Sequence, residues 1–93
     1  MGVEGLRFVI TGGATGIGEA TAQVAASKGA SVVIADITDE AGESVAAGIR
    51  DNGGKAHYVH CDVTSPEDVQ ALMEQAATEF GGIDVMHNNA GIH

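Results

Sequence analysis

The eight residues Thr11-Gly12-Gly13-Ala14-Thr15-Gly16-Ile17-Gly18 restrict what this chain can fold into more than any other stretch. An apolar run, Leu6-Arg7-Phe8-Val9-Ile10, precedes them and reads as a buried strand. Behind them apolar residues recur at Ile17, Ala20, Thr21, Val24 and Ala25, the spacing of one helix face. The context is therefore strand, turn, helix. Glycine lets the chain reverse tightly there, keeps Cβ atoms out of the path of an approaching anion, and allows the helix to pack close to the strand. The free N–H groups of the helix's first turn then face that anion, so the segment reads as a phosphate cradle.

Charge decides how such a cradle would work. The chain has 93 residues with 13 Asp and Glu against 4 Lys and Arg, a formal charge of -9. That balance argues against nucleic acid or an anionic membrane as partner, and leaves backbone N–H groups and a helix dipole to hold a phosphate. The length suits one domain, which buries roughly 60 to 65% of its extended surface. A single cysteine, Cys61, forms no internal disulfide, and a reducing, cytoplasmic setting is expected. Residues 1–5 lack the basic start and apolar stretch of a signal peptide, and no apolar run approaches membrane-spanning length.

Taken in order, Arg7 to Ile10 predicts the first strand and Gly16 to Lys28 the first helix, stopped at Gly29. Ser31-Val32-Val33-Ile34-Ala35, ending at Asp36, is the β-branched run of a strand buried on both faces. Thr38 or Asp39 caps a second helix through Ala41, Val45 and Ile49, and Asp51-Asn52-Gly53-Gly54 ends it. Ala56 to Cys61 reads as a third strand, less apolar and so nearer an edge. Ser65-Pro66-Glu67-Asp68 has the form of a helix start, and Val69, Leu72, Met73, Ala76, Ala77 and Phe80 keep the helical period until Gly81-Gly82. Ile83 to His87 is a fourth strand, running into Asn88-Asn89-Ala90-Gly91.

This βαβαβαβ order, with right-handed crossovers, predicts an α/β fold: a doubly wound, Rossmann-type parallel sheet, here partial, with strand order 3-2-1-4. The direction reverses between strands 1 and 4, where ligands of such sheets bind. The glycine turn, Asp36 and the Asn88 to Gly91 loop converge there, with Asp62 further along the same rim.

Asp36 follows Gly18 by eighteen residues and ends the second strand. An acid at that place can accept hydrogen bonds from both hydroxyls of an adenosine ribose; the plainer alternative is a cap for the next helix. The two features arriving together favour the ligand. Such an acid would repel a 2′-phosphate, and no Arg or Lys stands at Ala14, Thr15 or Ile37 to attract one, so NAD is expected over NADP.

The spacing Thr11-Gly12-x-x-x-Gly16-x-Gly18, the acid Asp36, the pair Asp62-Val63 and Asn88-Asn89-Ala90-Gly91 together resemble the cofactor half of the short-chain dehydrogenase/reductase family, in its compact rather than extended form. The resemblance implies that Gly12, Thr15, Gly16, Ile17 and Gly18 surround the pyrophosphate and nearby ribose. It further implies that Asp36, with Ile37 beside it, holds the adenosine ribose, that Asp62 bonds the adenine amino group next to Val63, and that Asn89, Ala90 and Gly91 line the way to the nicotinamide ribose. Asn88 would tie strands together. Singly, Asp62 also reads as a cap ahead of Pro66, and the paired asparagines as a turn.

The same resemblance implies interconversion of an alcohol and a carbonyl by hydride transfer, a nicotinamide dinucleotide and a small substrate as partners, and a homo-oligomer. The family's Tyr-x-x-x-Lys pair, with its Ser and Asn, would fall beyond these residues. Tyr58 is followed four positions later by Asp62, and no cation is placed to lower its pKa from about 10. Residues 1–93 are thus expected to be an NAD-binding subdomain that ends ahead of the catalytic segment. A stand-alone nucleotide-binding or interaction module is the alternative, opposed by the open edge that strand 4 would present. No metal site is expected, since His57 and His60 would point to opposite faces of a strand, with His87 in another strand and His93 at the end.

Overall fold

A computed structural model describes residues 2, 4–14 and 16–88. Seven elements alternate along the chain: β1 (Arg7–Thr11), α1 (Gly16–Ser27), β2 (Ser31–Asp36), α2 (Asp39–Asp51), β3 (Lys55–His60), α3 (Pro66–Phe80) and β4 (Val85–Asn88). The strands form one parallel sheet in the order β3-β2-β1-β4, as the alternation of strand and helix signals predicts. β3 lies at one edge, in keeping with its mixed sequence, and β4 at the other.

The side-chain alternation of the strands divides the core in two. Ile10, Val32 and Ile34 face α1 and α2, where Ala22, Ala25, Ala26, Val45, Ala46 and Ile49 meet them. Val9, Val33, Ala35 and Val59 face the other way, onto Leu72 and Ala76 of α3. Val32, Val33, Ile34 and Ala35 are all buried because β2 has helices on both sides, the usual reason for a continuous apolar run in a parallel strand. Each fully buried Leu or Ile contributes about 1.5–3 kcal/mol, so Leu72 is the principal anchor of α3.

One expectation is corrected. The face of α1 that packs on the sheet is Gly18, Ala22, Ala25 and Ala26, not the Ile17, Ala20, Thr21, Val24, Ala25 stripe. Ile17 and Val24 are 71% and 54% exposed. The two stripes differ by one residue, about 100° of helix rotation. The sheet beneath already carries the branched side chains Ile10, Val32 and Ile34, and only side chains of alanine size or less fit between them and the helix.

Helix ends follow their local signals unevenly. Ser65 Oγ accepts the N–H of Asp68 at 3.2 Å and Pro66 opens α3; Gly81, at φ +79°, closes it with an N–H donated to Ala77 O at 2.8 Å. Thr38 precedes α2 but makes no side-chain cap bond. β3 starts and stops one residue earlier than expected, and β4 begins at Val85 rather than Ile83. Asp84 is taken up by a latch instead: its carboxylate accepts Arg7 N–H and Nε–H, both at 2.8 Å, while its own N–H donates to Arg7 O at 2.8 Å. Arg7 Nη1 also donates to Gly81 O at 3.0 Å, setting a cation at the negative end of α3. This latch holds the Asp84 carboxyl below the usual carboxylate range.

Candidate cofactor site

The sheet register levels the carboxyl ends of the strands. Thr11 is paired with Ala35 on one side and Asn88 on the other, and Ala35 with Val59. The residues that follow this rung, Gly12 after β1, Asp36 at the end of β2 and His60 at the end of β3, therefore stand side by side along one rim. The glycine turn is tied to that rim through Gly12, whose N–H donates to Ala35 O at 2.7 Å.

Within the turn, Gly12 and Gly16 have φ of +69° and +60°, values that L side chains rarely adopt. Gly13 is required for another reason: a Cβ there would meet Ile34 Cγ2 at 2.9 Å and Ile10 O at 3.1 Å. The turn can thus lie flat on the ends of β1 and β2 only with glycine at these positions. Gly16 opens α1 with nothing within 4 Å of where a Cβ would stand, so the backbone there is approachable. Gly18 is buried two residues later, on the sheet-facing side of the helix.

The Asp36 carboxylate spans two loops. Oδ2 accepts the N–H of Ala14 at 3.2 Å and Oδ1 accepts the N–H of Thr38 at 3.0 Å. Asp36 therefore closes the turn into α2, as a cap would, and it also reaches the glycine turn. An ionised carboxylate has about four lone-pair positions, and these two bonds take one on each oxygen. Ile17, in the first turn of α1, and Ile37, directly after Asp36, are 71% and 63% exposed. With Val24 they are the only large hydrophobic side chains exposed among the described residues.

Asp62 and Val63, both half-buried, lie just past β3. Asp62 Oδ1 accepts the N–H and Oγ1–H of Thr64 at 2.9 and 2.7 Å, which holds its carboxyl below the usual range. Its own N–H donates to Asp68 Oδ2 at 3.0 Å. Locally Asp62 is a turn-forming acid, with Oδ2 outside that turn. Thr11 Oγ1 donates to His87 O at 3.4 Å across the β1–β4 boundary. Thr15, Asn89, Ala90 and Gly91 lie outside the described residues.

Sequence reasoning missed a group beside Asp36. The Tyr58 hydroxyl stands 2.8 Å from Asp36 O and 2.6 Å from Asp39 Oδ1, and His60 Nδ1 is 2.6 Å from the same Asp39 oxygen. Burial first, then Asp39, Asp36 and Glu43, push the Tyr58 phenol well above its ordinary value; Asp39 raises the His60 imidazole. Tyr58 is therefore a fixed hydrogen-bond donor and not a group poised to lose a proton. The available signal was the two-residue spacing of Tyr58 and His60, which sets both on one face of β3. His57, on the opposite face, has its Nε2 3.1 Å from Gln75 Nε2 and meets the Phe80 ring edge-on.

Comparison with known proteins agrees with this geometry. Residues 7–93 match the family model described as short chain dehydrogenase. The chain is 48% identical over 90 residues to a 2,5-dichloro-2,5-cyclohexadiene-1,4-diol dehydrogenase of Sphingobium indicum, covering 97% of this chain and 35% of that one. It is likewise 48% identical to tropinone reductase-like 1 of Erythroxylum coca, covering 97% and 32%. Among solved structures, a hydroxysteroid dehydrogenase from Escherichia coli superposes with a TM-score of 0.93 at 39% identity, over 97% of this chain and 38% of that chain. The chain spans about a third of the length of these curated relatives. Dehydrogenases of this group use nicotinamide cofactors. With the family model matched over residues 7–93 and relatives 48% identical over 97% of the chain, this chain belongs to the short-chain dehydrogenase family.

Proposed function

We propose that residues 1–93 are the NAD-binding part of an oxidoreductase that interconverts an alcohol and a carbonyl. The observation that carries this reading is the joining of Asp36 to the glycine turn at Ala14, next to the β1–β4 boundary where the strand order reverses. A cofactor bound there supplies hydride acceptance and donation. The chain's own residues bind and orient it. Gly12, Gly16 and Gly18, with Thr15 and Ile17, present backbone to the pyrophosphate; Asp36 takes the adenosine ribose hydroxyls with Ile37 against the sugar; Asp62 and Val63 border the adenine; Asn89, Ala90 and Gly91 lead toward the nicotinamide ribose. The two exposed isoleucines at the rim gain cover when a ligand lies between them.

The carboxylate of Asp36 disfavours a 2′-phosphate by charge, which makes NAD the expected cofactor and NADP the poorer one. A chain of net charge -9 has little else with which to hold an added phosphate. Substrate chemistry and hydride transfer are assigned to residues that follow this subdomain, and a cytoplasmic homo-oligomer is the expected working form. No helix among the described residues is long and apolar enough to cross a membrane. The test is calorimetric titration of NAD and NADP against wild type and Asp36→Ala. The expected result is a loss of NAD affinity of about tenfold or more with a narrowed gap to NADP. An unchanged preference would reduce Asp36 to a cap.

A further inference from the structure

We propose that Tyr58 is the positioning residue for Asp36, and that through Asp36 its hydroxyl sets the discrimination between NAD and NADP. This deepens the preceding reading and rests on it.

Asp36 is the last residue of β2, so the aim of its carboxylate depends on what holds its main chain. Its carbonyl oxygen accepts the Cys61 N–H at 2.9 Å, and the Tyr58 hydroxyl stands 2.8 Å away. A phenol carries one hydrogen, and Asp39 Oδ1 competes for it at 2.6 Å. Asp39 is the first residue of α2 and also takes the Nδ1–H of His60, which withdraws part of its charge from the phenol. Strand β3, helix α2 and the end of β2 are thus fastened at one point next to the ribose acceptor.

The ring reaches this point through a dedicated gap. It lies against Gly42 of α2, and a Cβ on that residue would overlap the ring carbons. Any apolar side chain at position 58 could cover the helix, and only a phenol reaches the Asp36 carbonyl from there. Because burial and the surrounding carboxylates keep the hydroxyl protonated, the tether persists throughout the neutral range.

Tyr58→Phe leaves the ring on Gly42 and removes the hydroxyl. In the protein at its native length, calorimetric titration is expected to give NAD binding weakened about three- to tenfold, NADP binding at the wild-type value, and so a narrowed ratio between them. Asp36→Ala is run beside it, and urea unfolding of each variant monitors the fold. If Tyr58→Phe does not fold, Tyr58→Leu, which keeps an apolar cover over Gly42 and also lacks the hydroxyl, is expected to narrow the ratio in the same direction. Equal loss for both cofactors would mark Tyr58 as merely structural and overturn the proposal. So would an unchanged ratio in Tyr58→Phe while Asp36→Ala responds. An unresponsive Asp36→Ala would instead remove the ribose reading on which the proposal stands.

Discussion

The Oδ2 oxygen of Asp36 accepts the backbone N–H of Ala14 at 3.2 Å, across 22 residues of sequence. The acid at the end of β2 is thereby fixed to the glycine turn that follows β1, and the two loops are one hydrogen-bonded unit. Asp36→Asn separates the parts played by charge and by hydrogen bonding. The amide keeps one acceptor and loses the charge and the second acceptor. NAD affinity is expected to fall about tenfold and NADP affinity to rise, read by titrating each cofactor. A rise in neither would mean that the charge at Asp36 does not reach the 2′ position.

Two glycines of α2 should respond oppositely to the same change. Gly42→Ala drives a Cβ into the Tyr58 ring, whereas at Gly48 nothing lies within 4 Å. Alanine gains about 1 kcal/mol of helix propensity at either site; overpacking costs about 1–3 kcal/mol. Gly42→Ala is expected to lower the urea midpoint and Gly48→Ala to raise it. Two equal shifts would show that the ring moves aside without cost.

The caps of α2 and α3 offer a similar contrast. Ser65 Oγ accepts Asp68 N–H, while the Thr38 side chain makes no cap bond, and the Thr38 N–H goes to Asp36. Ser65→Ala is therefore expected to cost about 1 kcal/mol and Thr38→Ala much less, measured by equilibrium unfolding.

The His60–Asp39 pair sets a pH dependence. Asp39 raises the folded-state pKa of His60 above 6.5, so its stabilisation is fully present below pH 6.5 and is lost as the pH rises through the folded value. On the acid side, Asp84 is held below 3.8 by Arg7; its contribution is present above pH 3.8 and disappears as the pH falls through the lowered value. Unfolding midpoints followed from pH 6 upward should decline in wild type and flatten in His60→Gln. A slope that survives His60→Gln would assign it to another group.

Much of the fold was legible because its signals are local. The glycine turn, the β-branched run of β2 and the Ser65-Pro66 start each act over a few residues, and right-handed crossovers leave few ways to arrange the strands. Along the rim of the candidate site, the positions of Asp36 and Asp62 were legible because each follows from the end of a strand. The buried face of α1 was not. Periodicity marks an apolar stripe, but closeness to a sheet already filled by Ile10, Val32 and Ile34 selects small side chains instead, and turns Ile17 and Val24 outward.

The sequence by itself determined the order of elements, the parallel sheet and the rim on which a dinucleotide would lie, since spacing and side-chain type set those. The tertiary structure alone decided that Asp36 is bonded to Ala14, that Arg7 latches Asp84, and that Tyr58 reaches Asp36 over Gly42. The first two link residues 22 and 77 apart, and the third brings a side chain of one strand to the main chain of another and of a helix. Such contacts depend on crossover geometry and on the room one missing Cβ leaves, and neither is written in any short stretch of chain.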